Sequence, residues 1–274
     1  MLLYRIAVSI LATEKLNMPS QKIITYNVNG LRSAINKGWL QWVQAVNPDI
    51  ICLQEIKVQQ EQLDLTLFEN AGYHHYWHSA EKKGYSGVAI LTKEKPDMVT
   101  IGSGEANVDR EGRIIRADYG DVSVISVYIP SGSSGELRQA YKMEWLTWFD
   151  TYITKLKATR KKLIIAGDYN ICHKPIDIHN PVSNAKSSGF LPDEREWLSK
   201  FIASGFTDTF REFNKEPHHY TWWSARFNVR ARNLGWRIDY QMVTENLNDS
   251  LKRAVLLPEA VHSDHCAMLL EVDF

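Results

Sequence analysis

Apolar runs of strand character recur along the chain at residues 22–27, 50–54, 86–92, 121–129, 162–166, 236–243 and 265–272. Their repetition commits much of the chain to buried β-structure. Between the fourth and fifth runs the period changes. Leu137, Tyr141, Trp145, Trp148, Tyr152 and Leu156 recur at spacings of three and four, which predicts a helix over 137–156 with one apolar stripe facing a core. Shorter helices are expected at 37–46, 59–69 and 193–203, the last opened by Pro192 and acidic residues suited to a helix N-terminus. No repeat, low-complexity tract or linker divides the chain. The reading is one α/β domain over residues 22–274, with helices covering packed sheets.

Residues 1–21 read as a dispensable extension. The stretch "LLYRIAVSILA" is interrupted by Arg5 and is too short to span a bilayer, so no membrane anchor is expected. Met18, followed by Pro-Ser-Gln and the first strand, offers an alternative start. The three cysteines, Cys52, Cys172 and Cys266, are an odd number at wide spacing, against both a disulfide framework and a zinc site. Each lies in or beside an apolar run, as a small buried hydrophobe does. A reducing, cytoplasmic compartment and a monomer are expected.

Polar chemistry begins where the strands end. "IITYNVNG" closes on Asn27 and Asn29, "IICLQE" on Gln54 and Glu55, "VISVYIPSG" on Tyr128, and "IIAGDYN" on Asp168 and Asn170, with Gly167 expected to turn the chain. Asp239 stands in "WRIDYQMV", and Asp264 and His265 open "SDHCAMLL". Such clusters suggest convergence at one end of the sheets. Glu55, Asp168, Asp264 and the amides are hard oxygen donors, suited to Mg2+ or Mn2+ with a substrate phosphate completing the shell. Asp239 beside His265 would hold one imidazole tautomer and favour the imidazolium near a phosphoryl anion. Tyr128 can donate to or accept from that anion. No nucleophile elbow, Walker loop, dinucleotide fingerprint or zinc-ligand helix competes.

Lys plus Arg equals Asp plus Glu at 32 each, so a nucleic-acid role requires a local basic surface. Arg226, Arg230, Arg232 and Arg237, interleaved with Phe227 and Trp236 and free of acids, are the expected one. The histidine pairs at 74–75 and 218–219 match no metal spacing and are expected to be structural.

The motifs "YNVNGLR", "LQEIK", "YSGVAIL", "DREGRIIRADYG", "YIPSG", "GDYNICH", "NPVSNAKSSGFLPDERE", "GWRIDYQMV" and "SDHC" occur in that order. In them the chain resembles the exonuclease III family of apurinic/apyrimidinic (AP) endonucleases, within the DNase I-like endonuclease/exonuclease/phosphatase superfamily, over about residues 22–274. The resemblance implies a four-layer α/β/β/α sandwich and metal-dependent hydrolysis of double-stranded DNA 5′ to an abasic site. Exonuclease activity and cleaning of blocked 3′ ends are implied too. It makes Glu55 the principal metal ligand with Asn27 or Asn29 nearby, and Asp168 the group that orients and deprotonates the attacking water. Asn170 supports the transition state or metal, and Asp264 is a further ligand or its support. Asp239 buttresses His265, which contacts the scissile phosphate, as does Tyr128; His265 is counted among the possible ligands. Arg32, Tyr85, Arg113 and Lys186 fall at backbone or groove positions. Arg226 stands at a wedge position, and Trp222, Trp236 and Ile238 would wall an abasic pocket beside Asp239.

The chain departs from some relatives at Asn29, where they carry Asp, and at Ser131 and Ser134, where they carry Asn and Arg. Two other readings compete: a phosphoesterase of the same superfamily acting on lipid or inositol phosphates, and a non-catalytic module that holds damaged DNA.

Overall fold

The computed structural model describes residues 20–225 and 228–274. Twelve strands are present among them: β1 (Ser20–Asn27), β2 (Ile50–Gln54), β3 (His74–His78), β4 (Val88–Thr92), β5 (Met98–Ile101), β6 (Ile114–Tyr119), β7 (Val122–Tyr128), β8 (Lys162–Asp168), β9 (Phe206–Asp208), β10 (Asp239–Thr244), β11 (Leu251–Leu257) and β12 (Ala267–Asp273). They form two six-stranded sheets, ordered β11-β12-β1-β2-β4-β3 and β5-β6-β7-β8-β10-β9. The pairs β1–β2 and β7–β8 are parallel, and the other ladders are antiparallel. Parallel neighbours need a crossover, and helices supply it in both places.

Alternation along the strands assembles four layers. Ile23, Ile50 and Cys52 of one sheet pack against Val124, Ile164, Ala166 and Val243 of the other. The intervening residues point outward. Ile24, Ile51 and Leu53 meet Leu31, Trp39, Val43 and Phe68. On the other side, Ile125, Leu163, Ile165 and Met242 meet Trp145, Phe149, Ile153 and Phe201 of the helices Glu136–Thr159 and Pro192–Ala203. The α/β/β/α sandwich is thus a direct product of period-two burial in strands with apolar residues on both faces. All three cysteines are buried and free. Among the described residues, no helix is long and apolar enough to cross a membrane.

Several local expectations are corrected. The helix over 137–156 forms, but its core face is Lys142, Trp145, Leu146, Phe149, Ile153 and Leu156, whereas Leu137 is 91% exposed. The region 37–46 yields Trp39–Val46 after a separate helix Leu31–Asn36, the two parted by left-handed Gly38. The region 59–69 holds one 3-10 turn and the short helix Thr66–Asn70. Gly167 does not turn the chain: β8 runs through it to Asp168, paired with Val127 and Tyr240. A Cβ there would lie 1.8 Å from the Val127 carbonyl oxygen, so glycine is required by close approach of the neighbouring backbone.

Candidate active site

The sheet register brings three sequence-distant groups into one row. Tyr128 ends β7 opposite Asp168, which ends β8, and Asp168 faces Asp239, the first residue of β10. Asn27 ends β1 in the other sheet, with Gln54 beside it on β2. Buried polar contacts cross between the sheets near this end, including Gln54 Nε2 donating to Ser126 Oγ at 3.0 Å.

Asn27 joins the two halves. Its Nδ2 donates to Glu55 Oε1 at 2.8 Å and to Asp168 Oδ2 at 2.9 Å, while its Oδ1 accepts from the Asn29 backbone N–H. The backbone leaves each strand abruptly: Asn29, Glu55, Lys57 and Asn170 all have φ between 44° and 52°. For side chains other than glycine this left-handed region is uncommon and concentrates at functional sites. Asn170 closes its turn by donating its N–H to Asp168 Oδ1 at 2.8 Å, and its Nδ2 to the Ile129 carbonyl at 2.9 Å.

His265 Nδ1 lies 2.9 Å from Asp239 Oδ2, and its Nε2 is 4.0 Å from Asp168 Oδ2. Burial opposes charge on this imidazole, but Asp239, Asp168 and Asp264 override it and raise the pKa to about 10. The residue is therefore an imidazolium at neutral pH, with Nδ1–H on Asp239 and Nε2–H facing the site. Asp168 is pushed the other way for a carboxylate, upward, by burial and by the charge of Asp239. Burial also opposes ionisation of Glu55, yet Lys57 and Asn27 keep its pKa below the ordinary value. Tyr128 stays a neutral phenol, its pKa raised by burial and by Glu55.

One ligand atom each from Glu55, Asp168 and His265 lies within 4.8 Å of the others. Buried carboxylates crowding one point, with Asp168 resisting ionisation, is the charge pattern a divalent cation relieves. The two carboxylates, Glu55 and Asp168, fit such an ion, and His265 would join them only as the neutral imidazole. Asn27, by contrast, presents its amide N–H groups to the two acids. Asp264 is engaged elsewhere: its Oδ1 accepts from Asn29 Nδ2 at 2.9 Å and Ser263 Oγ at 3.2 Å, and its Oδ2 from Trp222 Nε1 at 3.1 Å. Lys57 was not singled out from the sequence, although it ends the "LQEIK" motif. Its Nζ pairs with Glu55 Oε2 at 2.7 Å and also donates to Asn29 Oδ1.

These groups open onto a cavity of about 670 Å³, lined also by Ser131, Ser188, Trp222, Trp236 and Ile238. The two indoles meet edge to face with centroids 5.9 Å apart. Both pack against Ile238, Cys172, Ile178 and Phe190, so each serves the local core as well as the cavity.

The groove residues divide. Arg32 and Lys186 are exposed, and Tyr85 is half-buried. Arg113 is only 1% exposed. Its guanidinium donates to the Tyr128 carbonyl at 2.8 Å and lies 4.6 Å from that ring centroid, with Tyr85 OH at 3.2 Å. Arg113 therefore supports the two tyrosines from beneath, rather than presenting itself at the surface. The expected basic stretch is also redistributed. Arg237 is fully buried between Asp177 and Asp208, at 2.8 and 2.7 Å. Arg230 turns inward to the carbonyls of Ser263 and Ala260, at 2.9 and 3.0 Å, and covers the Trp223 ring. Arg226 and Phe227 lie outside the described residues.

A two-sheet sandwich with an acid cluster and an aspartate-held imidazolium at one open end defines a site for phosphoester chemistry. The chain belongs to the endonuclease/exonuclease/phosphatase family, whose model matches residues 24–265. It is 40% identical over 254 residues to an exodeoxyribonuclease of Bacillus subtilis, covering 92% of this chain and 99% of that one. An AP endonuclease structure from Archaeoglobus fulgidus superposes with a TM-score of 0.85 at 31% identity, covering 93% of this chain and 100% of the other. A 3′ phosphatase from Neisseria, bound to a product DNA hairpin, superposes with a TM-score of 0.85 at 30% identity, over 93% and 100% of the two chains.

Proposed function

We propose that this protein is a Mg2+-dependent DNA-repair nuclease. It hydrolyses the phosphodiester 5′ to an abasic site in double-stranded DNA and also trims or unblocks 3′ ends. The observation that carries the reading is the row Tyr128–Asp168–Asp239, capped by the His265 imidazolium and tied through Asn27 to Glu55. The relatives, an exodeoxyribonuclease, an AP endonuclease and a 3′ phosphatase, support the substrate class.

Asp168 has one carboxylate oxygen held by the Asn170 N–H and the other by Asn27. It orients a water for in-line attack on phosphorus and takes its proton, a role its two-point anchoring suits. As the new P–O bond forms the P–O3′ bond breaks, and the leaving 3′ oxygen takes a proton from solvent water to become the 3′-hydroxyl. His265 donates through Nε2 to a non-bridging phosphoryl oxygen, stabilising the charge that builds there, while Asp239 fixes the ring. Tyr128 donates its phenol to the same group, held by Arg113. Glu55 and Asp168 would hold the ion, with His265 a ligand only when neutral; Mn2+ substitutes. Once bound, Mg2+ supplies charge neutralisation at the phosphoryl oxygens. Trp222, Trp236 and Ile238 would admit a baseless sugar and collide with a nucleotide that carries its base.

The catalytic unit is assigned to residues 20–274, two residues longer than the sequence suggests because Ser20 and Gln21 pair with Asp273 and Val272 in the sheet, and the working form to a monomer. The buried free thiols support a reducing, cytoplasmic setting. A duplex carrying one abasic site, incubated with Mg2+ and with chelator, tests the proposal. Metal-dependent incision 5′ to the lesion is the expected result. Retention of the duplex without incision would identify a damage-binding module, and hydrolysis confined to lipid or inositol phosphates would replace the nuclease reading.

A further inference from the structure

On the helix Glu136–Thr159, the polar residues Gln139 and Lys142 are three apart and so share one face. Lys142 is 0% exposed and pairs with Glu194, also 0% exposed, at 2.6 Å. A second Nζ bond goes to the carbonyl oxygen of Asn170 at 2.8 Å. The other Glu194 oxygen accepts the backbone N–H groups of Gly189 and Leu191, at 2.7 and 2.9 Å. Gln139 completes the set: Nε2 donates to Glu194 Oε1 at 3.1 Å, and Oε1 accepts from Ser188 Oγ at 2.7 Å. The turn at Gly132 lies directly on Gln139, since a Cβ on that glycine would stand 1.8 Å from Gln139 Oε1.

Three cavity-lining segments therefore meet on one buried network: the turn Asp168–Asn170, the segment Ser187–Gly189, and the loop containing Ser131 and Gly132. Two charges taken out of water rarely stabilise a fold more than well-packed apolar residues would, so stability alone is a poor account of Lys142 and Glu194. The Leu191 amide is that of the N-cap of Glu194's own helix and its bond is an ordinary capping contact, but an ion pair that only fastened the two helices together would have no need of the Asn170 carbonyl or the Gly189 amide.

We propose that Gln139, Lys142 and Glu194 form the positioning network of this active site. Lys142 holds the turn that aims Asp168, Gln139 holds the Ser188 wall of the cavity, and Glu194 locks the two together. The proposal rests on the nuclease reading for its kinetics, but its structural arm does not.

The two arms predict different kinetic defects on the abasic duplex with Mg2+. Lys142→Met alone strands a buried carboxylate, so the informative variant is Lys142→Met combined with Glu194→Gln, which removes both charges together. It should keep its melting temperature within a few degrees and its KM within about threefold, while kcat falls about tenfold or more, the cost of leaving the Asn170 carbonyl without a donor. Lys142→Arg, which keeps a donor, should recover much of kcat. Gln139→Ala should raise KM about fivefold while kcat changes less than about twofold, because only the wall is released. In parallel, hydrogen exchange at the Asn170 amide, which rests on Asp168, should accelerate in the Lys142/Glu194 double variant and not in Gln139→Ala. A folded double variant with parental kcat and parental exchange overturns the proposal. So does a proportional loss of kcat and rise in KM in both variants that tracks the melting temperature. If the parental protein leaves the abasic duplex intact, the nuclease reading fails, and the exchange measurement still decides the network.

Discussion

Trp222 and Asp264 are joined by a hydrogen bond, the indole Nε1 donating to the carboxylate Oδ2 at 3.1 Å. One side chain thus walls the cavity and tethers the loop that carries His265. Two substitutions separate these roles. Trp222→Phe should keep abasic selectivity while weakening turnover modestly, because a flat wall remains but the tether is gone. Trp222→Ala should narrow the rate gap between abasic and ordinary sites by about tenfold or more. Rates on both duplexes, measured with the melting temperature, give the answer. Equal loss on the two substrates with a lowered midpoint would mark Trp222 as core alone.

Asp168→Asn keeps the shape of the turn and removes the proton acceptor. Turnover should fall by about a thousandfold or more, while affinity for the abasic duplex stays close to parental. Single-turnover cleavage and fluorescence anisotropy check the two halves. A variant that cuts at nearly the parental rate removes Asp168 from the chemistry.

Glu55→Ala deletes one of the cavity's carboxylates and frees Lys57 from its 2.7 Å partner. The Mg2+ concentration at half-maximal rate should rise about tenfold or more. A titration at saturating DNA measures it, and an unchanged midpoint would place the ion elsewhere.

Acid sensitivity has a separate origin beneath the site. Burial raises the pKa of Asp177, but Arg237 and Arg211 more than compensate and hold it at about 2. A carboxyl depressed in the folded state contributes stability that is fully present above its unfolded pKa of about 3.9 and lost as pH falls towards 2. The contribution is on the order of 2 kcal/mol. Asp177→Asn should therefore destabilise the protein at neutral pH and flatten the stability loss between about pH 4 and 2. Denaturant melts across that range test it; parallel parental and variant curves would sink the assignment.

The chemistry was legible in the sequence because it sits where apolar runs stop. Asn27, Gln54, Tyr128 and Asp168 each end a strand. Five strands were not legible. Four of them, β3, β5, β9 and β11, are the edges of the two sheets. Edge strands are half-solvated or very short, as in the exposed–intermediate pattern of Met98–Ile101, and so lack a continuous apolar signal. The fifth, β6, hid because Arg116 and Asp118 interrupt an otherwise buried run. Charged groups misled for a related reason. Lys142 goes unnoticed because its partner Glu194 lies 52 residues away, and Arg237 reads as a phosphate contact until Asp177, 60 residues away, closes on it. Burial of an ion pair is a property of two distant positions, and no local window contains both.

The inward turn of Arg230 and Arg237 bears on how binding to DNA responds to salt. Each cation laid on a phosphate releases condensed counterions, and the number released sets how steeply binding falls with salt. Two of the four arginines between residues 226 and 237 are already occupied by carbonyls and aspartates. Fewer counterions are then displaced on a duplex, and the salt dependence of binding should be shallower, by up to about two released ions, than the charge of this stretch would give.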